Sequence, residues 1–384
     1  MLSCRIRAFL FLIASALLVS FRVDAREKIE NDSSRTNTII NLTYNCEFNH
    51  ALTFVDDLAS EDTASLKWKF FRAFVLWQEV IFIDSVGAAD QNVEAQFSNS
   101  IGRVIDDAEV QLSQNPSDTT ALFYAGFSLG VLAKFDAAKG DKWKAAREGN
   151  KGLSYHKKLI SICPRWYDAY FSGALFNYYT CVLPWYLKPL LFFLGQSGSR
   201  DMAYELLTLV SSKGSIAKYE ADNILGELYE RELKFDSAST VYSKLISQFP
   251  KATLYYVDRI LWSLTEANRY QEVVQKCKET IKILPTWHLS HWDSLYVGKI
   301  YFRLADAYEK LGDYGNAMGT YGELIDHYVT ISEVSEAHLS IGRLYEKAND
   351  SQDAIREYIW VANKADSPQL SKEARERLEN LGVR

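Results

Sequence analysis

Two histidines stand three residues apart in the stretch PTWHLSHWDS, a spacing at which both imidazoles can bind one metal ion. They are His288 and His291, and an imidazole nitrogen is a common ligand of zinc. Two ligands are too few for a zinc site, which uses three or four protein side chains. The neighbouring Trp292 favours the other interpretation, an interhelical turn with aromatic packing. We therefore predict no metal site.

Four cysteines follow the first 25 residues: Cys46, Cys163, Cys181 and Cys277. An even number of cysteines in an exported protein is compatible with disulfide bonds. Cys163 and Cys181 are nearest in sequence, but each ends one of two successive antiparallel helices. Since a helix rises about 1.5 Å per residue, the second cysteine lies roughly 20 Å from the turn, too far for a disulfide. The sequence predicts four free thiols.

Motifs of the common enzyme classes do not occur in the sequence. It contains no glycine-rich phosphate loop, no G-x-S-x-G and no H-E-x-x-H. The carboxylates recur at the spacing of a helix surface and show no paired general acid and base. We predict neither a cofactor nor an enzymatic activity, and an enzyme with an unrecognised site is the least favoured interpretation.

The first 25 residues form a separate unit. Arg5 and Arg7 precede an apolar run over residues 8–21, and the small residues Val23 and Ala25 follow it. This is the pattern of a secretory signal, and the run is shorter than the roughly 20 residues that span a bilayer. We expect cleavage after Ala25 and export, to the periplasm of a Gram-negative bacterium or to the outside. An uncleaved anchor is the alternative, and the polar residues 26–45 are predicted to be a flexible leader.

Composition and charge narrow the class of partner. The hydrophobic fraction of 48% is sufficient for a large core in a chain of 384 residues. The formal charge is −6, and it becomes −8 once the signal with its net +2 is removed. An acidic chain argues against a nucleic-acid partner.

Helical periodicity runs through nearly the whole chain after residue 45. In LKWKFFRAFVLWQEVIF, Phe70, Phe74 and Trp77 share one face at i, i+4 and i+7. No alternating run of β-branched residues with turn dipeptides competes with this pattern. The sequence predicts an all-α protein.

One pattern of small and aromatic residues occurs three times in a 34-residue phase. In a unit that starts at residue 219, Gly226 is at position 8, Ala238 at position 20 and Tyr242 at position 24. Units that start at residues 298 and 335 carry small residues and tyrosines at the same positions. The unit that starts at residue 254 is degenerate, but Pro250 and Pro285 lie 35 residues apart and nearly keep the phase. Small residues at positions 8 and 20 are expected where the two helices of a unit cross.

This pattern resembles the tetratricopeptide repeat, a helix-turn-helix unit of 34 residues. The resemblance implies a solenoid that winds as a right-handed superhelix. The unit must be repeated because one helix pair cannot bury its apolar face alone. We predict a repeat array over residues 216–384 and an irregular, repeat-like helical region over residues 46–215. Residues 50–250, with G-x-S-G-x-R-D at 195–201, also resemble the inclusion-body clearance family of tetratricopeptide repeat proteins.

The resemblance places positions 2, 5, 9 and 12 of each unit on a concave face. This implies a groove for a protein or peptide partner, and the face combines carboxylates with aromatic side chains. The predicted groove residues are Glu220, Asn223, Glu227, Tyr255, Asp258, Trp262, Phe302, Asp306 and Arg343.

The favoured function is therefore an exported scaffold that binds a polypeptide segment, preferably one with basic and apolar residues. The alternative is a membrane-associated adaptor that uses the apolar segment Val182–Leu194, VLPWYLKPLLFFL. Pro184 and Pro189 argue against a regular amphipathic helix on lipid, so a buried irregular helix is the favoured interpretation of that segment.

Overall fold

The computed structural model describes residues 32–85, 90–182, 198–284, 291–327, 333–365 and 367–383. The predicted signal at 1–25, His288, and nearly all of the segment 182–194 lie outside these residues. The described regular structure consists of helices. Those of the N-terminal half are α1 (32–44), α2 (Phe48–Glu61), α3 (Leu66–Ser85), α4 (Gln91–Gln114), α5 (Thr119–Ala138), α6 (Lys142–Ile162), α7 (Tyr170–Val182) and α8 (Arg200–Lys213). Those of the C-terminal half are α9 (Lys218–Arg231), α10 (Phe235–Gln248), α11 (Thr253–Glu266), α12 (Tyr270–Ile283), α13 (His291–Lys310), α14 (Tyr314–His327), α15 (Glu333–Lys347), α16 (Ser351–Lys364) and α17 (Pro368–Asn380).

Consecutive helices pack against each other from α2 to α17, which gives a chain of helical hairpins. Odd-numbered helices also contact the next odd-numbered helix, as α3 does with α5, α11 with α13, and α13 with α15. The odd-numbered helices therefore form an inner layer and the even-numbered helices an outer layer. The all-α helical repeat fold predicted from the sequence is confirmed.

Local signals set many of the helix starts. The side chains of Asp90, Asp118, Asp141 and Asp350 accept hydrogen bonds from backbone N–H groups in the first turns of α4, α5, α6 and α16. These N–H groups have no partner within the helix, so the capping side chains supply one. Ser367 caps α17 in the same way, and Pro368 occupies its first helical position.

The turn inside each C-terminal hairpin repeats one backbone conformation. Position 15 of the four units has a positive φ: 57° at Leu233, 56° at Asn268, 79° at Gly312 and 60° at Asn349. These residues are 35, 44 and 37 positions apart, which corresponds to unit starts at residues 219, 254, 298 and 335. The degenerate unit from residue 254 is thus a hairpin of the same kind, as its proline spacing predicts.

Position 8 faces the tyrosine at position 24. A Cβ added to Gly226 would lie 2.6 Å from Cε1 of Tyr242, and one added to Gly342 would lie 2.5 Å from Cε1 of Tyr358. The tyrosine ring at position 24 therefore lies directly against the backbone at position 8. The glycine permits a flat ring to lie against the backbone of the first helix, where a larger residue would displace it.

One N-terminal expectation is wrong. The predicted leader over residues 26–45 contains helix α1, where Ile39 is 0% exposed and Tyr44 is 4% exposed. Within α1, polar residues such as Ser33 and Asn37 are exposed, whereas Ile39, Ile40 and Tyr44 form a buried stripe that also includes Thr36 and Thr43. Hydrophobic burial thus overrides the polar composition that favoured a flexible segment.

Helix α5 is the one described helix that is long and apolar enough, by length and composition, to cross a membrane. Of its most apolar window, 61% is buried inside the protein. Helices α3, α4, α6 and α7 surround it, so α5 is a core helix of the N-terminal half.

Candidate binding surface

The predicted groove residues lie on inner helices, but the structure divides them into a covered and an open group. The covered group lies beside residues of the N-terminal half and consists of Glu220, which is buried, and Asn223, Glu227 and Tyr255, which are half-buried. The open group is Trp262, Phe302, Asp306 and Arg343 on α11, α13 and α15, whose side chains are half-buried. Asp258 is 7% exposed and belongs to the core.

Helices α1 and α3 cover the first part of the inner surface. Glu220 is 5% exposed and accepts hydrogen bonds from Gln78 Nε2 at 3.0 Å and from Tyr44 Oη at 3.4 Å. Lys134 of α5 lies 3.6 Å from Glu220 and 3.8 Å from Glu227. The prediction that Glu220 belongs to an open groove is wrong, because the chain's own N-terminal half buries it, whereas the side chain of Glu227 is 30% exposed.

Lys134 keeps its charge in this buried position. Burial opposes protonation of the amine, but the carboxylates of Glu227 and Glu220 raise the pKa of Lys134 above its usual range. The cation also lies 5.8 Å from the ring centroid of Trp77. The two carboxylates and the aromatic face compensate the positive charge of Lys134. This cluster therefore holds the two halves of the chain together.

Aromatic rings seal the same contact. The ring of Tyr44 stacks on Phe249 at 5.2 Å, and the ring of Phe82 lies 6.0 Å from Tyr255 and 5.2 Å from Tyr296. The space left between these helices is about 30 Å³, room for about one water molecule. Tyr255 is half-buried and packs against the core, with its ring beside Phe82 of the N-terminal half.

Ion pairs link consecutive inner helices along the array. They are Glu230–Arg259, Asp258–Arg303 at 2.6 Å, Glu309–Lys347 at 3.4 Å, Arg343–Glu373 at 3.4 Å and Glu346–Arg377 at 2.7 Å. Of the charged residues predicted for the groove, these pairs include Asp258 and Arg343. Asp258, predicted to contact a partner, is bound to Arg303 instead.

Asp306 is the exception at position 9 of the units. Glu227 at that position lies near Lys134 and Arg343 lies near Glu373, whereas Asp306 forms no ion pair within the described part of the chain. Partial burial raises the pKa of Asp306, although the nearby Lys310 acts in the opposite direction. A partly desolvated carboxylate that forms no ion pair would gain free energy from a cationic ligand in direct contact with it.

Two half-buried aromatic side chains accompany Asp306. Phe302 lies one turn earlier on α13, with its ring 5.8 Å from that of Tyr321, and Trp262 lies on α11 beside the guanidinium of Arg259, 5.8 Å from the ring centroid. The open part of the inner surface thus offers a carboxylate, an arginine and two aromatic faces.

The structure also contains a hydrogen-bonded serine–histidine pair that the sequence did not predict. Ser172 Oγ donates to His156 Nδ1 at 2.7 Å, and His156 Nε2 donates to the Phe123 carbonyl oxygen at 3.0 Å. His156 is 0% exposed, and the cavity beside Ser172 measures about 20 Å³. A backbone carbonyl takes the place that a carboxylate would need, and no substrate fits. The pair joins α5, α6 and α7, and no local motif marks it because its residues come from three helices.

The described residues contain neither a cluster that could bind a metal ion nor a disulfide bond. They contain no group of three or more His, Cys, Asp or Glu side chains that could hold a metal ion. Cys46, Cys163, Cys181 and Cys277 are free thiols, as predicted. Burial raises the pKa of Cys277 to about 12, so this thiol stays protonated and unreactive.

The fold defines a helical repeat protein, and a family model identifies the repeat. Residues 224–252 and 300–329 match the model described as Tetratricopeptide repeat. Both ranges coincide with the hairpins that start at positions 219 and 298 of the predicted phase. The chain therefore carries tetratricopeptide repeats.

Among solved structures, yeast Tom70 is 12% identical, over 91% of this chain and 88% of that chain, with a TM-score of 0.39. The Cut9–Hcn1 hetero-tetramer of APC/C is 11% identical, over 86% of this chain and 52% of that chain, with a TM-score of 0.45. A human IFIT1 dimer with m7Gppp-AAAA is 13% identical, over 91% of this chain and 85% of that chain, with a TM-score of 0.37. No curated protein sequence matches the chain. None of these similarities carries an inference about function.

Proposed function

We propose that the chain is an exported scaffold that binds a polypeptide segment on the open part of its inner surface. Tetratricopeptide repeats support a role in protein–protein interaction, and two are present. The observation that carries the proposal is Asp306, a half-buried carboxylate on α13 that forms no ion pair within the described residues. A basic side chain of the partner would complete its charge.

The aromatic neighbours define the second element of recognition. Large, half-buried aromatic side chains supply most of the binding energy in many interfaces. Phe302 stands one helical turn from Asp306, so one extended segment can place an apolar residue on the ring and a basic residue on the carboxylate. Arg343 on α15 favours an acidic or carbonyl group at the other edge of the same segment.

The inner surface is rigid and therefore preorganised for a ligand. Ion pairs between consecutive inner helices hold α11, α13 and α15 in register. A rigid receptor loses little conformational entropy on binding. The partner is therefore expected to order on the protein, and the array is expected to keep its shape.

Export is supported by residues 1–25 alone. The two arginines, the apolar run and the small residues before position 26 are the features that a signal peptidase recognises. N-terminal sequencing of the exported protein should give Arg26 as the first residue. A sequence that begins at Met1 would favour the anchor instead.

The groove is tested by selecting binders from a displayed peptide library and measuring their affinity for three variants. We expect the selected peptides to pair a lysine or arginine with an apolar residue. Asp306→Lys should weaken them about tenfold or more, because a like charge replaces the attractive one, and Phe302→Ala should weaken them too.

Asp326→Lys is the matched control, since Asp326 is an exposed acid on the outer helix α14. It should leave the affinity unchanged. Circular dichroism must first show intact helices in all variants. Equal affinity of the parent and Asp306→Lys for the selected peptides would show that the inner surface is not the binding site.

A further inference from the structure

The outer surface of α6 carries a continuous row of exposed polar and cationic residues. Trp143, Arg147, Asn150, Ser154, Lys157 and Ser161 are exposed and follow each other at spacings of three and four. Such residues lie on one face of a helix. At about 1.5 Å per residue the row extends roughly 25–30 Å.

The charge of α6 is opposite to that of the whole chain. The helix contains six lysine and arginine residues and one acid, Glu148, in a protein with a formal charge of −6. Lys144 pairs with Asp136 at 3.0 Å, and Lys151 pairs with Glu109 at 2.5 Å.

The other cations of this helix are exposed and form no ion pair within the described residues. They are Lys142, Arg147, Lys157 and Lys158, and the exposed Arg165 follows the helix. The exposed acid nearest in sequence is Asp141, whose carboxylate caps the helix by accepting from the Lys144 N–H at 3.0 Å. The row itself therefore carries two cations, Arg147 and Lys157, and no acid; Lys142 and Lys158 lie beside it.

Trp143 adds an apolar element that packing does not explain. Its side chain is 78% exposed, the most exposed of the large hydrophobic residues that the structure describes. Tryptophan is enriched at the boundary between membrane and water, where its ring and N–H occupy different environments. The two lysines beside it, Lys142 and Lys144, fit an interface that is both apolar and negatively charged.

We propose that the outer face of α6 docks on an anionic lipid surface. Lysines that lie close to an anionic bilayer each add binding energy, and a tryptophan inserts its ring at the level of the headgroups. An acidic protein is the other partner that the charge would fit. Lysine is depleted in protein–protein interfaces, and three of the four unpaired cations of the helix are lysines, so the observations favour lipid.

This surface is independent of the inner one. Helix α6 belongs to the outer layer, whereas Phe302 and Asp306 lie on an inner helix in the C-terminal half. Docking through α6 uses none of the residues of the inner surface, so a membrane and a polypeptide can be bound together.

The test is co-sedimentation of the exported protein with vesicles of phosphatidylcholine, alone or mixed with phosphatidylglycerol. We expect binding to the mixed vesicles that weakens as salt is added. Binding to vesicles of phosphatidylcholine alone measures the part of the affinity that apolar segments contribute without attraction between opposite charges. Lys157→Glu with Lys158→Glu should weaken binding to the mixed vesicles at least about tenfold, since two attractive charges become repulsive. Trp143→Ala should weaken it about threefold or more.

The matched control is Lys278→Glu with Lys282→Glu, two exposed lysines on the outer helix α12. It changes the net charge equally and should keep nearly all of the binding. Equal loss in both double variants would show a general charge effect and overturn the proposal. Tighter binding of the same row to an oligoglutamate peptide than to the mixed vesicles would assign it to an acidic protein instead, and no preference for phosphatidylglycerol would exclude a lipid role.

Discussion

At the scale of single residues, His156 shows how a polar group is placed in the core. Both ring nitrogens have partners, the Phe123 carbonyl and the Ser172 hydroxyl. Gly126 gives the ring its space, because a Cβ there would lie 2.3 Å from the imidazole. Burial lowers the pKa of His156 to about 4, against the backbone hydrogen bonds that act to raise it. The neutral imidazole is therefore the form that the folded state requires.

This burial predicts an acid-sensitive core. The pKa of His156 is about 4 in the folded state and about 6.5 in the unfolded chain, so the unfolded state binds the proton more tightly between these values. Stability contributed by the neutral ring is present above about pH 6.5 and is lost as the pH falls toward 4, by an amount on the order of 3 kcal/mol. Urea unfolding at a series of pH values measures this slope.

His156→Gln removes the titration and keeps a donor and an acceptor. The variant should lose less stability than the parent over that range, whatever its stability at neutral pH. The control is His50→Gln at an exposed position, which should follow the parent. Parallel pH curves for the parent and His156→Gln would contradict the prediction.

At the scale of the elements, the hairpin turn is the best-specified feature of the repeats. Position 15 is left-handed in all four units, yet the residues there are Leu233, Asn268, Gly312 and Asn349. Glycine and asparagine adopt this conformation readily, whereas a leucine has a Cβ that crowds the following carbonyl. Leu233 is also 71% exposed, so it gains little from packing in return for its strain.

Leu233→Gly is therefore expected to stabilise the first hairpin by about 1 kcal/mol, since it relieves the strained backbone conformation. Gly312→Ala introduces the same strain and should destabilise the third hairpin by a similar amount. Both changes are measured as shifts of the urea midpoint. Asn268→Gly is the control and should change little. A loss of stability in Leu233→Gly would mean that the leucine side chain contributes more than its exposure indicates.

At the scale of the whole molecule, the N-terminal helices and the array form one continuous core. Tyr44 of α1 packs on Phe249 at 5.2 Å and on Tyr219 at 5.6 Å, more than 170 residues away in sequence. The backbone N–H of Lys251 donates to Asn45 Oδ1 at 3.0 Å at the edge of the same contact. The inner surface near α9 is therefore internal to the fold, and binding is left to the units that follow.

Tyr44→Ala should destabilise the molecule unevenly. Truncation of a buried aromatic side chain costs about 3–5 kcal/mol, and it also removes a hydrogen bond to Glu220. Each repeat contacts mainly its neighbours, so amide hydrogen exchange should increase in α1, α3, α9 and α10 and remain nearly unchanged in α16 and α17. Tyr358→Ala, at a buried tyrosine of α16, is the matched comparison and should instead increase exchange in α15, α16 and α17. A uniform increase through α17 would show that the array unfolds as a single unit.

The sequence by itself determined the helical repeat, its 34-residue phase and its hairpins. It could do so because small residues, tyrosines and turns recur at fixed positions, and each records a local contact within or between adjacent helices. The degenerate unit was found by phase alone, and the free cysteines followed from helix length. The resemblance to the tetratricopeptide repeat implied that Phe302 and Asp306 lie on a concave face, and both residues lie on α13.

Only the tertiary structure decided which inner residues remain open. Position in a repeat fixes the face of a helix but not what covers that face, since α1 and α3 reach α9 across a large gap in sequence. Glu220 was therefore assigned to an open groove, whereas Gln78 and Lys134 enclose it in the fold. Phe82 packs against the half-buried Tyr255 in the same region. The pairing of charges along the inner helices is likewise set by distances between units, which the order of residues in one helix does not specify.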